Sequence, residues 1–235
     1  VLPGAFYGVS GVRSLVLPYT VSSFDGDSLA AAGITDVYFL GGEAALSNTE
    51  SVRVHVPSGS GWAGGHEVFE ISEETVGGLG FEYYIVEDTA VFYRYLKGTE
   101  FTLPSRITAG GKEYPLSVIG DSAFKGAGIS SILIPDTVTD IQTSAFEGSS
   151  LLELRFSPSG SAAAIWEGAF RGCEKLRNFD LPQGLEYIGA EAFRGCDTLT
   201  SVSVPDSCRV IGAGAFSLCI RLGTADLGAG LSAVP

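Results

Sequence analysis

Apolar and polar positions recur along this chain with a fixed period. Ile119-Gly-Asp-Ser-Ala-Phe124 returns as Ile141-Gln-Thr-Ser-Ala-Phe146, Ile165-Trp-Glu-Gly-Ala-Phe170, Ile188-Gly-Ala-Glu-Ala-Phe193 and Ile211-Gly-Ala-Gly-Ala-Phe216. The phenylalanines step by 22, 24, 23 and 23 residues. Between them lies a second pattern, seen in Leu176-Arg-Asn-Phe179-Asp-Leu181-Pro182 and Leu199-Thr-Ser-Val202-Ser-Val204-Pro205. Its apolar/polar alternation is the period of a half-buried strand. Proline closes it, because proline cannot donate to a ladder. The Ala-Phe segment is too short for a regular helix and reads as a turn or a single helical turn. A period in the twenties predicts a solenoid in which each unit buries its apolar face only against its neighbours.

The irregularities are confined to loops. The units that start at Phe124 and Phe146 lose one residue before Ile129 and Leu151, and the second gains two in Ser157-Pro-Ser-Gly-Ser161. Such a Ser/Gly/Pro insertion predicts a surface loop. Earlier in the chain the pattern is fainter. Gly4-Ala5-Phe6 and Ser28-Leu29 fill the Ala-Phe slot, and Phe24 and Leu46 fill the isoleucine slot. Strands are expected at Val12–Pro18, Ile34–Phe39 and Val52–Pro57, the last of them closing a first array.

A different texture separates the two arrays. Phe81–Ile85, Val91–Tyr95 and Phe101–Pro104 are short aromatic and β-branched runs, with turns at Glu87-Asp88 and Lys97-Gly98. Ile107–Tyr114 predicts a hairpin around Gly110-Gly111, since adjacent glycines supply the positive φ of a tight turn. The expected organisation is therefore a degenerate array over 1–71, a linker and small antiparallel β-sheet over 72–118, and a second array over 119–235.

The unit Ile-Gly-x-x-Ala-Phe-x-x-Cys-x-x-Leu-x-x-φ-x-φ-Pro resembles the BspA-type leucine-rich repeat of bacterial surface proteins. Gly111–Gly120 is similar to the segment that opens arrays in that family, and Val54–Trp62 to the segment that closes them. The resemblance is strong over about 101–231 and weak over 1–71. It implies a leucine-rich-repeat-like solenoid, mainly β with an α+β character, on a secreted or cell-surface protein. It also implies action by adhesion or protein binding without catalysis, and it carries no catalytic residues or cofactor to transfer.

Composition narrows the function further. The net charge is −13 and the pI about 4.5. Nucleic acids and anionic membranes need a basic footprint, so neither is an expected partner. No run of 18 apolar residues is present, so no transmembrane helix is expected. Val1 and Val234 both occupy the isoleucine slot and the chain has no methionine, which leads us to expect a piece of a longer protein.

Several motifs invite a chemical reading and favour a plainer one. Cys173, Cys196 and Cys219 share one slot and predict a ladder of core thiols, while Cys208 replaces Val138 and Leu185 in another core slot. The alternative, a zinc site, needs close ligand pairs that the spacing does not provide. Gly59–Gly64 matches G-x-G-x-x-G, but no helix pattern follows to offer amides to a pyrophosphate, so a glycine-rich loop is expected. His55 and His66 are too few for a three-histidine site, and His55 reads as a solvated, outward residue. Asp25-Gly-Asp27 reads as a turn and not a calcium loop. Glu73-Glu74 reads as solvated linker. No metal, cofactor or catalytic group is expected.

Two groups remain as candidate contact surfaces. One is the outward position of each strand: Val16, Tyr38, His55, Leu133, Arg155, Asp180, Ser203 and Asp226. Solenoids present such a row to partners. The other is the aromatic set Tyr83, Tyr84, Phe92, Tyr93 and Tyr95, which could equally fill the core of the small sheet. Tyr83 and Tyr84, as strand neighbours, must face opposite sides. The expected partner is a protein of a host or bacterial surface, or a glycan. A passive spacer presenting other domains is the alternative.

Overall fold

The structure is a computed structural model that describes residues 14–17, 23–39, 45–47, 51–57, 67–69, 71–160 and 162–231. The chain divides into two compact units, Val1–Ile71 and Ser72–Pro235.

In the first unit, β1 (Ser14–Leu17), β3 (Asp36–Phe39), β5 (Arg53–Pro57) and β6 (Glu67–Phe69) form one parallel sheet in that order. The strand at 53–57 is therefore not the last of its row, because β6 pairs with it in register. Two short strands, β2 (Ser23–Asp25) and β4 (Ala45–Ser47), pair through Phe24 and Leu46, the two residues in the isoleucine slot. Asp25 does not simply turn the chain. It caps a short helix, α1 (Gly26–Ala30), accepting from the Ser28 amide at 3.1 Å. Leu29 enters the core from that helix together with Ile34, Val37 and Val54. Phe6, the Gly59–Gly64 loop and His66 lie outside the described residues.

The second unit opens with three antiparallel strands, β7 (Ser72–Val76), β8 (Leu79–Val86) and β9 (Thr89–Lys97). Glu73 and Glu74, expected as linker, are part of β7. Next come β10 (Glu100–Thr102), β11 (Arg106–Ala109) and β12 (Lys112–Ile119). The hairpin β11–β12 turns on Gly110 and Gly111, with φ of 57° and 79°. This segment does not stand apart from the array. β12 pairs in parallel with β9 on one side and with β14 (Asp140–Ile141) on the other. β10 was expected in the antiparallel sheet, but it pairs in parallel with β13 (Ser131–Ile134) and so begins a repeat row.

Two sheets then run through the repeats. The first is β10–β13–β15, where β15 is Glu153–Phe156. It is followed by a separate pair, β18 (Ser201–Ser203) with β20 (Thr224–Asp226). The second continues from β14 through β16 (Ala164–Ile165), β17 (Tyr187–Ile188) and β19 (Val210–Ile211). The isoleucines at 119, 141, 165, 188 and 211 face inward from this short-strand sheet, and all are buried.

The Ala-Phe turns close each coil. Residues 122, 144, 168, 191 and 214 all have positive φ, near 55–66°. Phe124, Phe146, Phe170 and Phe193 donate backbone hydrogen bonds of 2.6–2.7 Å to Ala145, Ala169, Ala192 and Ala215 of the next repeat. This direct stacking satisfies the turn amides without a helix. The rings stack with it. Phe124–Phe146, Phe146–Phe170, Phe170–Phe193 and Phe193–Phe216 lie 4.7, 4.9, 5.2 and 5.3 Å apart and within 5° of parallel.

The thiol ladder lies beside this spine. Cys173, Cys196 and Cys219 are free and buried, and their thiols donate to the carbonyls of Phe146, Phe170 and Phe193 at 3.1, 3.3 and 3.1 Å. Ala127 and Ser149 fill the same slot in the two repeats without cysteine. Burial pushes the Cys173 thiol up to about 11, which makes it a packing group and not a nucleophile.

Candidate partner-binding surface

Alternation along each strand leaves one residue in two facing outward. In the first unit the register places Tyr38 beside His55 and Asp36 beside Arg53. The Tyr38 and His55 rings stack with centroids 4.4 Å apart. His55 Nε2 lies 2.8 Å from Asp36 Oδ1, and Arg53 donates to both oxygens of the same carboxylate at 2.7 and 2.6 Å. His55 is thus not a solvated residue, and its side chain is only 12% exposed. The Arg53 hydrogen bonds, helped by His55 and opposed by partial burial, hold the Asp36 carboxyl well below the usual carboxylate range. The four side chains form one fixed polar and aromatic patch.

In the second unit the outward row contains Leu133, Arg155, Asp180, Ser203 and Asp226. The row is not continuous. Arg177 N donates to Leu152 O at 3.1 Å, and among the described residues no backbone hydrogen bond then joins residues 153–156 to 178–181. The sheet splays there into a cleft of about 460 Å³, lined by Glu153, Arg155, Phe156, Arg177, Phe179 and Asp180 among others.

Side-chain volume explains the split. The inward slots filled by Ile132, Ile134 and Leu154 in the preceding rows hold Phe156 and Phe179 here. The two rings stay only partly buried while those aliphatic neighbours are buried. The two-residue insertion at 157–161 supplies the slack that lets the segments part. On the far side, Asn178 bridges the lost ladder. Its Oδ1 accepts from the Thr200 and Ser201 amides at 2.9 and 3.3 Å, and its Nδ2 donates to their hydroxyls at 2.8 and 3.0 Å.

The cleft carries mixed charge. Arg155 pairs with Glu153 across its own strand at 2.7 Å, whereas Arg177 and Asp180 make no ion pair among the described residues. Arg155 and Asp180 are therefore brought together, with Leu133 one strand away. The sequence row did not include Arg177. The signal that could have flagged it is its place beside the only repeat with both an insertion and bulky inward rings.

The aromatic set divides. Tyr83 and Tyr84 are 5% and 1% exposed, and Phe92 is buried. Tyr83 is a core residue and not a contact residue, because its face of β8 packs onto the repeat core. Burial pushes the Tyr84 hydroxyl well above its usual range. Tyr93 and Tyr95 are half-buried. The Tyr95 hydroxyl is committed to the Gly98 carbonyl at 2.6 Å, and Arg94 lies over the Tyr93 ring at 5.9 Å. Among the described residues no group of three or more His, Cys, Asp or Glu could hold a metal ion, and no helix is long and apolar enough to cross a membrane.

The coils, turns and phenylalanine spine correspond to a known repeat. Residues 88–223 match the BspA type leucine rich repeat region in six copies. The chain belongs to the BspA-type leucine-rich-repeat family. Solved structures of this kind are similar in fold. A leucine-rich repeat protein from Bacteroides ovatus is 28% identical with a TM-score of 0.58, over 67% of this chain and 42% of that one. The leucine-rich repeat protein of T. pallidum is 28% identical with a TM-score of 0.58, over 66% of this chain and 71% of that one. A leucine-rich cell surface protein from Faecalibacterium prausnitzii is 18% identical with a TM-score of 0.54, over 94% of this chain and 60% of that one, a likeness of fold alone. This BspA-type chain thus spans less than half of the Bacteroides ovatus protein. No curated protein matches it.

Proposed function

We propose that this chain is a non-catalytic binding module of an extracellular or cell-surface protein, and that its outward strand row in the second unit holds a protein partner at the Arg155–Arg177–Asp180 cleft. The cleft is the observation that carries the reading. Within about 460 Å³ it combines two part-buried phenylalanines with a guanidinium, a carboxylate and a strand edge that are unpaired among the described residues. Arginine and aromatic groups in a recessed, partly dry site are the usual anchors of protein recognition. Strand edges with open amides and carbonyls accept extended peptides.

The family supports the location. The Tyr38–His55 patch supports a second contact of the same kind on the first unit.

The test is a binding screen of the purified chain against extracellular-matrix proteins and mucins, followed by Arg155→Ala, Arg177→Ala and Asp180→Ala. A saturable protein ligand that loses tenfold or more in affinity with Arg177→Ala or Asp180→Ala supports the site. A ligand indifferent to all three overturns it. No protein ligand across the screen favours a spacer.

A further inference from the structure

A second surface lies on the other sheet of the second unit. Trp166 follows Ile165 in the repeat, and the equivalent positions are Gly120, Gln142, Gly189 and Gly212. The fold requires a small residue at three of these, Gly120, Gly189 and Gly212. A Cβ on Gly189 would come 2.5 Å from the Trp166 carbonyl carbon, and one on Gly212 would come 2.3 Å from the Ala190 nitrogen. Trp166 is the one aromatic residue among these equivalent positions, and it is 42% exposed.

Its ring is held in place. Nε1 donates to Asp140 Oδ1 at 3.1 Å, and the Tyr187 ring lies 5.2 Å away at 48°. Asp140, Ala164 and Tyr187 occupy successive strands at one register position. A ring that touches the first and third of these must overlie Ala164, the small residue between them, which is only 9% exposed. The indole is thus held between Asp140 and Tyr187 while much of it stays exposed. Val210, next in the same register, is also 42% exposed, and the neighbouring Gly189 and Gly212 add no side chain. The Tyr187 hydroxyl makes no hydrogen bond among the described residues.

We propose that Trp166 and Tyr187 form a stacking platform for a neutral glycan, taking the C–H face of a pyranose on the exposed part of the indole. Three neighbouring side chains match the span of one or two sugar rings. Ring faces carry partial negative charge and attract the polarised C–H groups of a sugar. Hydroxyls find an acceptor in Asp140 and both roles in Tyr187. Charge selects the class. Asp140 touches the platform, Glu167 and Glu186 adjoin its two aromatic residues in sequence, and Arg209 donates to the Gly230 carbonyl at 3.2 Å. Sialylated or sulfated glycans would meet carboxylates, whereas neutral ones would not.

The experiment uses the whole chain with Trp62→Phe, which leaves Trp166 as the only indole. Neutral tetrasaccharides of the β-glucan, chitin and galactan types, and sialyllactose as the anionic probe, are titrated by fluorescence and calorimetry. The expected result is a saturable shift of the Trp166 emission with at least one neutral probe and none with sialyllactose. In calorimetry Trp166→Ala loses it at least tenfold, Tyr187→Ala several-fold, and Trp166→Phe retains part of it. Arg177→Ala, at the protein-binding cleft, leaves it unchanged, which separates this site from that one. No response to any neutral probe at millimolar concentration overturns the proposal, as does binding unaffected by both Trp166→Ala and Tyr187→Ala. A monomer–dimer equilibrium abolished by Trp166→Ala would instead assign the platform to a second copy, and a protein ligand lost with Trp166→Ala would assign it to that protein.

Discussion

The Tyr38 and His55 rings lie face to face on neighbouring strands, 4.4 Å between centroids and 7° from parallel. The stack is fixed from below by Asp36, which receives His55 at one oxygen and Arg53 at both. Asp36→Asn removes the charge that organises this patch. We expect it to cost the first unit about 1–3 kcal/mol, the scale of hydrogen bonds to charged groups. Tyr38→Ala is expected to cost less, about 1 kcal/mol. Amide hydrogen exchange across 36–39 and 53–56 reads both, and unchanged protection in Asp36→Asn would refute the role given to that carboxylate.

The phenylalanine spine holds the second unit together. Phe170 stacks on Phe146 and Phe193 and is fully buried. Phe170→Ala is expected to lower stability by about 3–5 kcal/mol in urea unfolding. Phe216 caps the stack and is partly exposed, so Phe216→Ala should cost clearly less.

Leu218 occupies a position with positive φ (58°) that is glycine in the four preceding repeats, at Gly126, Gly148, Gly172 and Gly195. It is also 61% exposed, so little packing offsets the strain. Leu218→Gly is expected to stabilise the last repeat by up to about 1 kcal/mol, seen as slower hydrogen exchange at 213–222. Gly172→Leu, the reverse change within the array, is expected to lower the urea midpoint.

Lys125, Glu147, Arg171, Glu191 and Arg194 form an ion-pair ladder across the turns, with contacts of 2.9, 2.6, 3.3 and 2.8 Å. Burial works to raise the Glu147 pKa, but the Arg171 hydrogen bonds and the Lys125 ion pair outweigh it and hold the carboxyl at about 2. A depressed pKa contributes stability at pH above the unfolded value near 4.3, and that contribution disappears as pH falls toward 2. The partners are nearly half exposed, so the contribution is on the order of 1 kcal/mol. Stability measured from pH 5 to pH 2 should fall less steeply in Glu147→Gln than in the parent chain.

The thiol ladder predicts kinetic protection. Cys173, Cys196 and Cys219 are committed to backbone carbonyls within the core, and burial raises all three pKa values. An aromatic disulfide reagent at pH 8 should label Cys173 and Cys196 only as fast as the unit opens, with Cys219, nearest the end of the array, reacting first. Immediate labelling of Cys196 in native buffer would contradict the packing.

The sequence by itself determined the solenoid, because each repeat meets its own kind. An inward Ile, Ala, Phe or Cys at one slot must face the same slot one turn away, so a list of slots is already a list of contacts. The Gly110-Gly111 hairpin was legible for a similar local reason. What only the tertiary structure decided depends on groups brought together across the slots. Phe101–Pro104 reads as part of an antiparallel sheet, but pairing with β13 makes it a repeat strand. His55 reads as solvated until Tyr38 stacks on its ring and Asp36 Oδ1 lies 2.8 Å from its Nε2. The cleft at Arg177 follows from the volumes of Phe156 and Phe179 in adjacent layers, and the Trp166 platform from Ala164 and Tyr187 lying on neighbouring strands. Periodicity specifies which residues point inward, while the sizes and charges of neighbours more than 20 residues apart decide where the surface opens.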